Sequence, residues 1–275
     1  MRSLKTKLLS LAMIALAAMA SAQDIKTEAV TTIPEEIASD LLGIRVHKEK
    51  AFVMANSGKY IVVDLNNGNV MSYKLDVTDM ADYDVVAGKI IYLDKQGIIG
   101  GHCFQKWSKG PYEALRIDAC DQGAVLSGGS SAYFLNRNAT ATFEIRDMPF
   151  VLPIEKGFAW SMSVGDDKRW EANLYDLYGN MMSKVYKFSE YFEPSNVEIG
   201  PENSDGDLLV SATEDNARTL ALIGNNGRMF WKLNVSRKLC PRDVAFDNKN
   251  KLLLLQKNEK GEVILDRLTF TVPEG

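Results

Sequence analysis

A chain of 275 residues, 46% apolar and 25% charged, carries enough apolar material for a full core, as one large domain or two small ones. Its formal charge of −4 falls to −7 once the three basic residues of the N-terminal leader are removed. A sequence-independent nucleic-acid binder needs a basic surface, so that class is disfavoured unless the charges are strongly segregated, and nucleic acid is not an expected partner.

Arg2, Lys5 and Lys7 stand ahead of an apolar run from Leu8 to Ala20 that ends in Ala20-Ser21-Ala22. A basic start, a short apolar stretch and a small-residue site form a secretory signal peptide, here cleaved after Ala22. The run is shorter than the roughly 18 residues that cross a bilayer, and Gln23-Asp24 follows at once. The first cysteine is Cys103, so none stands near the cleavage site to take a lipid. Residues 23–275 are thus expected as one domain, periplasmic or secreted, without a lipid anchor and not embedded in a membrane. The alanine-rich leader reads as bacterial, so the sequons at Asn138 and Asn234 are expected to carry no sugar.

After the leader, Ile25–Ile33 alternates as a strand does, and Pro34–Leu42 reads as a short helix with proline first and acids in its first turn. A repeat begins next. Lys50–Ala55, Lys59–Leu65 and Asn66–Leu75 give strand, turn, strand, Asn-Gly turn, strand. Asp205–Thr213, Arg218–Ile223 and Gly224–Leu233 repeat that order. Weaker copies start at Lys89, Gly123, Gly157 and Lys251, which makes six units separated by 34 to 50 residues. That interval suits the blade of a propeller.

Ahead of each unit lies one more short strand: Gly43–Val46, Asp84–Val86, Leu115–Ile117, Phe150–Leu152, Asn196–Ile199 and Asp243–Phe246. These are expected to be innermost, lining a central channel, so the fold is predicted to be all-β: a six-bladed β-propeller with four-stranded blades. The last unit ends one strand short, and Ile25–Ile33 has no other partner. The N-terminal strand is therefore expected to complete the last blade and close the ring, leaving no bare edge at the seam.

The pattern from Ile199 to Trp231, with Asp-Gly, an apolar strand, Asn216-Ala-Arg218, a second apolar strand, Asn-Gly and Arg228, resembles one blade of an NHL-type six-bladed propeller. Asp243–Leu255 is similar to the start of another. The resemblance implies architecture and leaves function open, since this fold hosts hydrolases, lyases and binding modules. Gluconolactonase-like propellers hold a divalent metal in the channel with carboxylates and amides. The channel candidates here are Arg45, Asp84, Arg116, Glu198, Arg242 and Asp243. Their carboxylates suit calcium, but interspersed arginines more simply neutralise them, so no metal or other cofactor is expected. Streptogramin-lyase-like propellers depend on histidine bases, and only His47 and His102 are present, both in polar turn contexts. No Gly-x-Ser-x-Gly elbow occurs, and Gly128-Gly129-Ser130-Ser131 lacks the lysine of a phosphate-binding loop.

Three cysteines, Cys103, Cys120 and Cys240, leave at least one thiol unpaired, with Cys103–Cys120 as the candidate disulfide. The longest departure from the repeat is Ser189–Asn196, preceded by the charged stretch Asp166–Glu171. Loops beyond the needs of a scaffold are where binding resides, so Arg169, Trp170, Tyr191 and Phe192 are the candidate partner-facing residues. A full repeat set without a complete catalytic constellation points to a noncatalytic binding or assembly protein that engages a protein or glycan partner. The alternative is a metal-dependent hydrolase or lactonase with its site in the channel.

Overall fold

The computed structural model describes residues 25–101, 111–128, 131–138, 141–146, 151–154, 158–164, 170–176, 180–187, 196–214, 217–224, 229–235 and 243–270. Strands fill six antiparallel sheets in chain order. The first holds β2 (Leu41–His47), β3 (Lys50–Ala55), β4 (Lys59–Asp64) and β5 (Val70–Lys74). The second holds β6 (Met80–Val86), β7 (Lys89–Asp94) and β8 (Ile99–Gly101). The third holds β9 (Arg116–Cys120), β10 (Gly123–Ser127), β11 (Ser131–Asn136) and β12 (Ala141–Arg146). The fourth holds β13 (Val151–Ile154), β14 (Phe158–Val164), β15 (Trp170–Asp176) and β16 (Met181–Lys187). The fifth holds β17 (Asn196–Glu202), β18 (Leu208–Glu214), β19 (Ala217–Ile223) and β20 (Met229–Val235). The sixth holds β21 (Val244–Phe246), β22 (Leu252–Lys257) and β23 (Val263–Phe270), together with β1 (Ile25–Thr32) from the start of the chain.

The second sheet has three strands among the described residues, and residues 102–110, which follow β8, lie outside them. One expectation is corrected. The short helix α1 covers Glu35–Ala38 alone, because Leu41 is drawn into pairing with β3 and Leu42 into β2. Among the described residues no helix is long and apolar enough to cross a membrane.

Packing between sheets explains strands whose letters do not alternate. On β22, Leu253 and Leu255 pack with Ile44, Ala51, Val53 and Ile61 of the first sheet. Leu252 and Leu254, pointing the other way, pack with Leu209, Leu220, Leu222 and Trp231 of the fifth. A strand covered on both faces needs apolar side chains at every position, which is why the run Leu252–Leu255 is unbroken. The same division holds on β3, where Ala51, Val53 and Ala55 face the sixth sheet while Phe52 and Met54 face the second. First strands also lie side by side, β2 with β6, β6 with β9, β9 with β13, β13 with β17, β17 with β21, and β21 with β2.

A five-residue loop recurs in which an Asx side chain stands in for a turn of backbone. In Asp94–Ile98, Asn203–Asp207, Asp247–Lys251 and Asn258–Glu262 the first side-chain oxygen accepts the N–H groups of the third and fifth residues at 2.8–3.0 Å. The fourth residue must take positive φ, and it is Gly97, Gly206, Asn250 or Gly261, the types that tolerate it.

Tyr83 locks the first two sheets together. Its hydroxyl lies 2.9 Å from the Gly43 carbonyl and 2.8 Å from that of Phe52, and the ring is fully buried. Gly43 sits where β2 skips a residue against β3, so the ladder opens there and the phenol fills the opening. Tyr83→Phe is expected to lower stability by about 1–2 kcal/mol, because a buried carbonyl loses its donor while the ring packing is retained. Urea unfolding of the two proteins measures this.

Candidate functional site

The densest ionic cluster among the described residues is assembled on the first strands of the first three sheets. On β6, Asp82, Asp84 and Val86 share one side, and Val86 packs into the core formed with the third sheet. Asp82 Oδ2 accepts the Ile117 N–H at 2.9 Å, and Asp84 Oδ2 accepts the Ala119 N–H at 2.6 Å. From β2, Arg45 Nη2 donates to Asp82 Oδ1 at 3.1 Å, and its Nε lies 3.5 Å from Asp84 Oδ1. The same guanidinium lies 5.1 Å from the centre of the Tyr83 ring, within cation–π range. Two aspartates thus link β6 to the backbone of β9, and one arginine ties both to β2.

Burial pushes the Asp84 carboxyl up to about 6; the nearby Asp118 charge adds to the rise, while Arg45 and the N–H groups of Ala119 and Val85 oppose it. A carboxyl with a folded pKa above its unfolded value of about 3.9 binds its proton more tightly in the native state, so its contribution falls as pH rises from about 4 to 6. At roughly 1.4 kcal/mol per unit, the full effect is at most about 3 kcal/mol. Asp84→Asn removes that titration. The stability of the variant relative to the parent is expected to rise by up to about 3 kcal/mol between pH 4 and pH 7, as read by urea unfolding at both values.

The residues named from the sequence are distributed as follows. Arg45 and Asp84 come together in this cluster. Arg116 lies on β9, half-buried and opposite Ser127. Asp243 is fully buried, and its carboxylate accepts a hydrogen bond from Arg218 Nη1, while Arg218 Nε donates to Ser211 Oγ at 2.7 Å. Glu198 occupies β17 and Trp170 opens β15. Arg169, Tyr191, Phe192 and Arg242 lie outside the described residues, as do Cys103 and Cys240. Cys120 is a buried free thiol.

Asp82, Asp118 and Arg218 were missed as site residues. Each has a signal in the letters: Asp82 and Asp118 stand two positions from Asp84 and Arg116, so they share a strand face with them. Arg218 is in phase with Leu220 and Leu222, which face the sixth sheet. Among the described residues, no three His, Cys, Asp or Glu side chains gather as an ion-holding group.

No family model matches the sequence, and no curated protein is recognisably similar to it. Similarity appears at the level of structure. Regucalcin from Agrobacterium tumefaciens, a calcium-binding protein, aligns at TM-score 0.53 and 11% identity, over 87% of this chain and 93% of that one. The WD40 β-propeller domain of Doa1 aligns at 0.51 and 10% identity, over 89% and 97%. Catalytically inactive virginiamycin B lyase from Staphylococcus aureus, with quinupristin, aligns at 0.51 and 12% identity, over 90% and 99%. Identities this low carry architecture alone. The chain has the fold of a β-propeller.

Proposed function

We propose that this chain is an exported, noncatalytic binding or assembly protein, a six-bladed ring closed by β1 that engages a protein or glycan partner. The observation that carries this reading is the use made of the ionic groups on the first strands. The inner carboxylates of Asp82 and Asp84 accept backbone N–H groups of the neighbouring sheet and pair with Arg45, so they hold sheets together. Carboxylates used in this way act as ties between sheets, which is a structural use of the inner charges. The count of six rests on the repeat in the sequence and on the cyclic adjacency of first strands from β2 to β21 and back. Export rests on the leader that ends at Ala22. The partner-facing surface is the one carrying Arg169, Trp170, Tyr191 and Phe192.

The test is capture from an envelope extract of the source cells, comparing the parent with a variant in which those four residues are alanine. The parent is expected to retain a component that the variant loses. Equal capture by both overturns the assignment of that surface. The second reading, a channel lactonase, draws on likeness to the calcium-binding regucalcin. It would replace the first if millimolar calcium raised the melting temperature over that in EDTA and the protein hydrolysed an aldonolactone.

A further inference from the structure

We infer that Asn67 is a self-modification site: the Gly68 backbone nitrogen attacks the Asn67 side-chain amide, and the isoaspartyl residue that results loosens the contact between the first and sixth sheets. This goes beyond the reading of the chain as a binding protein and does not depend on it.

The hairpin turn between β4 and β5 runs Asp64-Leu65-Asn66-Asn67-Gly68-Asn69. Attack on a side-chain amide by the backbone nitrogen of the next residue closes a five-membered ring, and a side chain on that next residue crowds the approach. Glycine has none. Among the described residues Asn67 is the one asparagine that glycine follows, and the other Asn-Gly pair of the sequence, Asn226-Gly227, lies outside them. Asn67 is exposed, so water reaches it and ammonia can leave it.

The fold holds the two reacting atoms in one small ring. Asn67 Oδ1 accepts the Asn69 N–H at 2.9 Å, an Asx turn whose closed ring contains both Asn67 Cγ and the Gly68 nitrogen. The same N–H meets the oxygen on which negative charge builds as Cγ becomes tetrahedral, a placement that lowers the barrier to acyl transfer. One bond stands against the reaction. The Gly68 N–H donates to the Asp64 carbonyl at 2.8 Å, so attack waits on the opening of that bond, which lies in an exposed turn where local opening costs little.

A bond forms between the Gly68 nitrogen and Asn67 Cγ, the nitrogen's proton and the side-chain NH2 leave as ammonia, and the succinimide so formed takes up one water. Opening at one carbonyl gives aspartate; opening at the other routes the main chain through Cβ and gives isoaspartate. That extra main-chain atom falls where the turn has little room. A β-carbon on Gly68 would lie 3.0 Å from the Val30 carbonyl oxygen of β1, and the Leu65 carbonyl of the same turn accepts Arg267 Nη2 of β23 at 2.7 Å. Leu65 is also buried in the core that the first and sixth sheets share. Lengthening the turn therefore shifts the groups through which the first sheet grips the two outer strands of the sixth.

The test is peptide mapping by mass spectrometry of the full chain held at pH 7.4 and 37 °C, beside a synthetic peptide of residues 64–74. Position 67 of the folded protein is expected to gain about one mass unit, as amide becomes acid, at least as fast as it does in the peptide, which lacks the fixed Asx turn. Gly68→Asn, which keeps a residue tolerant of positive φ, should convert about tenfold more slowly. Asn67→Gln, whose ring would be six-membered, makes the same comparison without a side chain at position 68 and should stay intact. Asn67→Asp supplies the charge without the longer main chain and should melt with the fresh parent, whereas the isoaspartyl fraction, separated by ion exchange, should melt several degrees lower. Asn67 still intact in the folded protein when the peptide is half converted overturns the site, and an isoaspartyl fraction that melts with the parent overturns its effect on the sheet contact. None of these outcomes bears on capture through Arg169, Trp170, Tyr191 and Phe192.

Discussion

Replacing Arg218 with alanine is expected to lower the unfolding free energy by about 3–5 kcal/mol, the largest single-residue effect anticipated for this protein. Arg218 is 3% exposed and the Asp243 it serves is fully buried, so removing the cation leaves a negative charge that water does not reach. The damage comes from the charge left behind rather than from the value of the pair. Arg218→Met combined with Asp243→Asn should therefore recover much of what the single variant loses, because neither charge then remains. Urea unfolding of both single variants and the double variant closes the cycle. A double variant no more stable than the worse single one would show that the pair itself, through Ser211 and the sheet junction it spans, provides the stability.

Deletion of residues 25–33 is expected to lower the melting temperature by about 10 °C or more. This stretch buries Ile33, packs Val30 against the core shared with the first sheet, and packs Ile25 against the core shared with the fifth. Those three side chains alone amount to about 4 kcal/mol of apolar burial. Without β1 the whole length of β23, from Phe270 back to Ile264, also becomes a bare edge and a template for association between molecules. A synthetic peptide of the deleted sequence should restore the melting temperature and suppress association when added in excess, as scanning calorimetry and light scattering would show. A truncated protein that melts with the parent would remove β1 from any structural role.

Much of the architecture was legible because it depends on local patterning. The repeat anchors at Lys50, Lys89 and Gly123 are the first residues of β3, β7 and β10, and Gly157, Asp207 and Lys251 directly precede β14, β18 and β22. The spare strand found its partner because a chain with one strand too many at the start and one too few at the end has a single economical solution. The site was harder. Asp84 and Arg45 stood out as charges on first strands, but their meaning lay in Asp82 and in the N–H groups of Ile117 and Ala119, which are distant in sequence. Asp243 read as a solvated channel acid because its partner, Arg218, is on another sheet 25 positions earlier. Short-range letters set the strands; which charges meet depends on how sheets face each other, and periodicity is silent on that.

The pairing of β1 with β23 also governs when the molecule can become native. Ile25 and its partner Phe270 are 270 − 25 = 245 positions apart, so β1 is synthesised long before the strand it pairs with. Contacts of such long range delay the rate-limiting step of folding. A nascent chain therefore holds β1 unpaired until β23 has been made, and a polypeptide halted before β23 leaves that first strand without its partner.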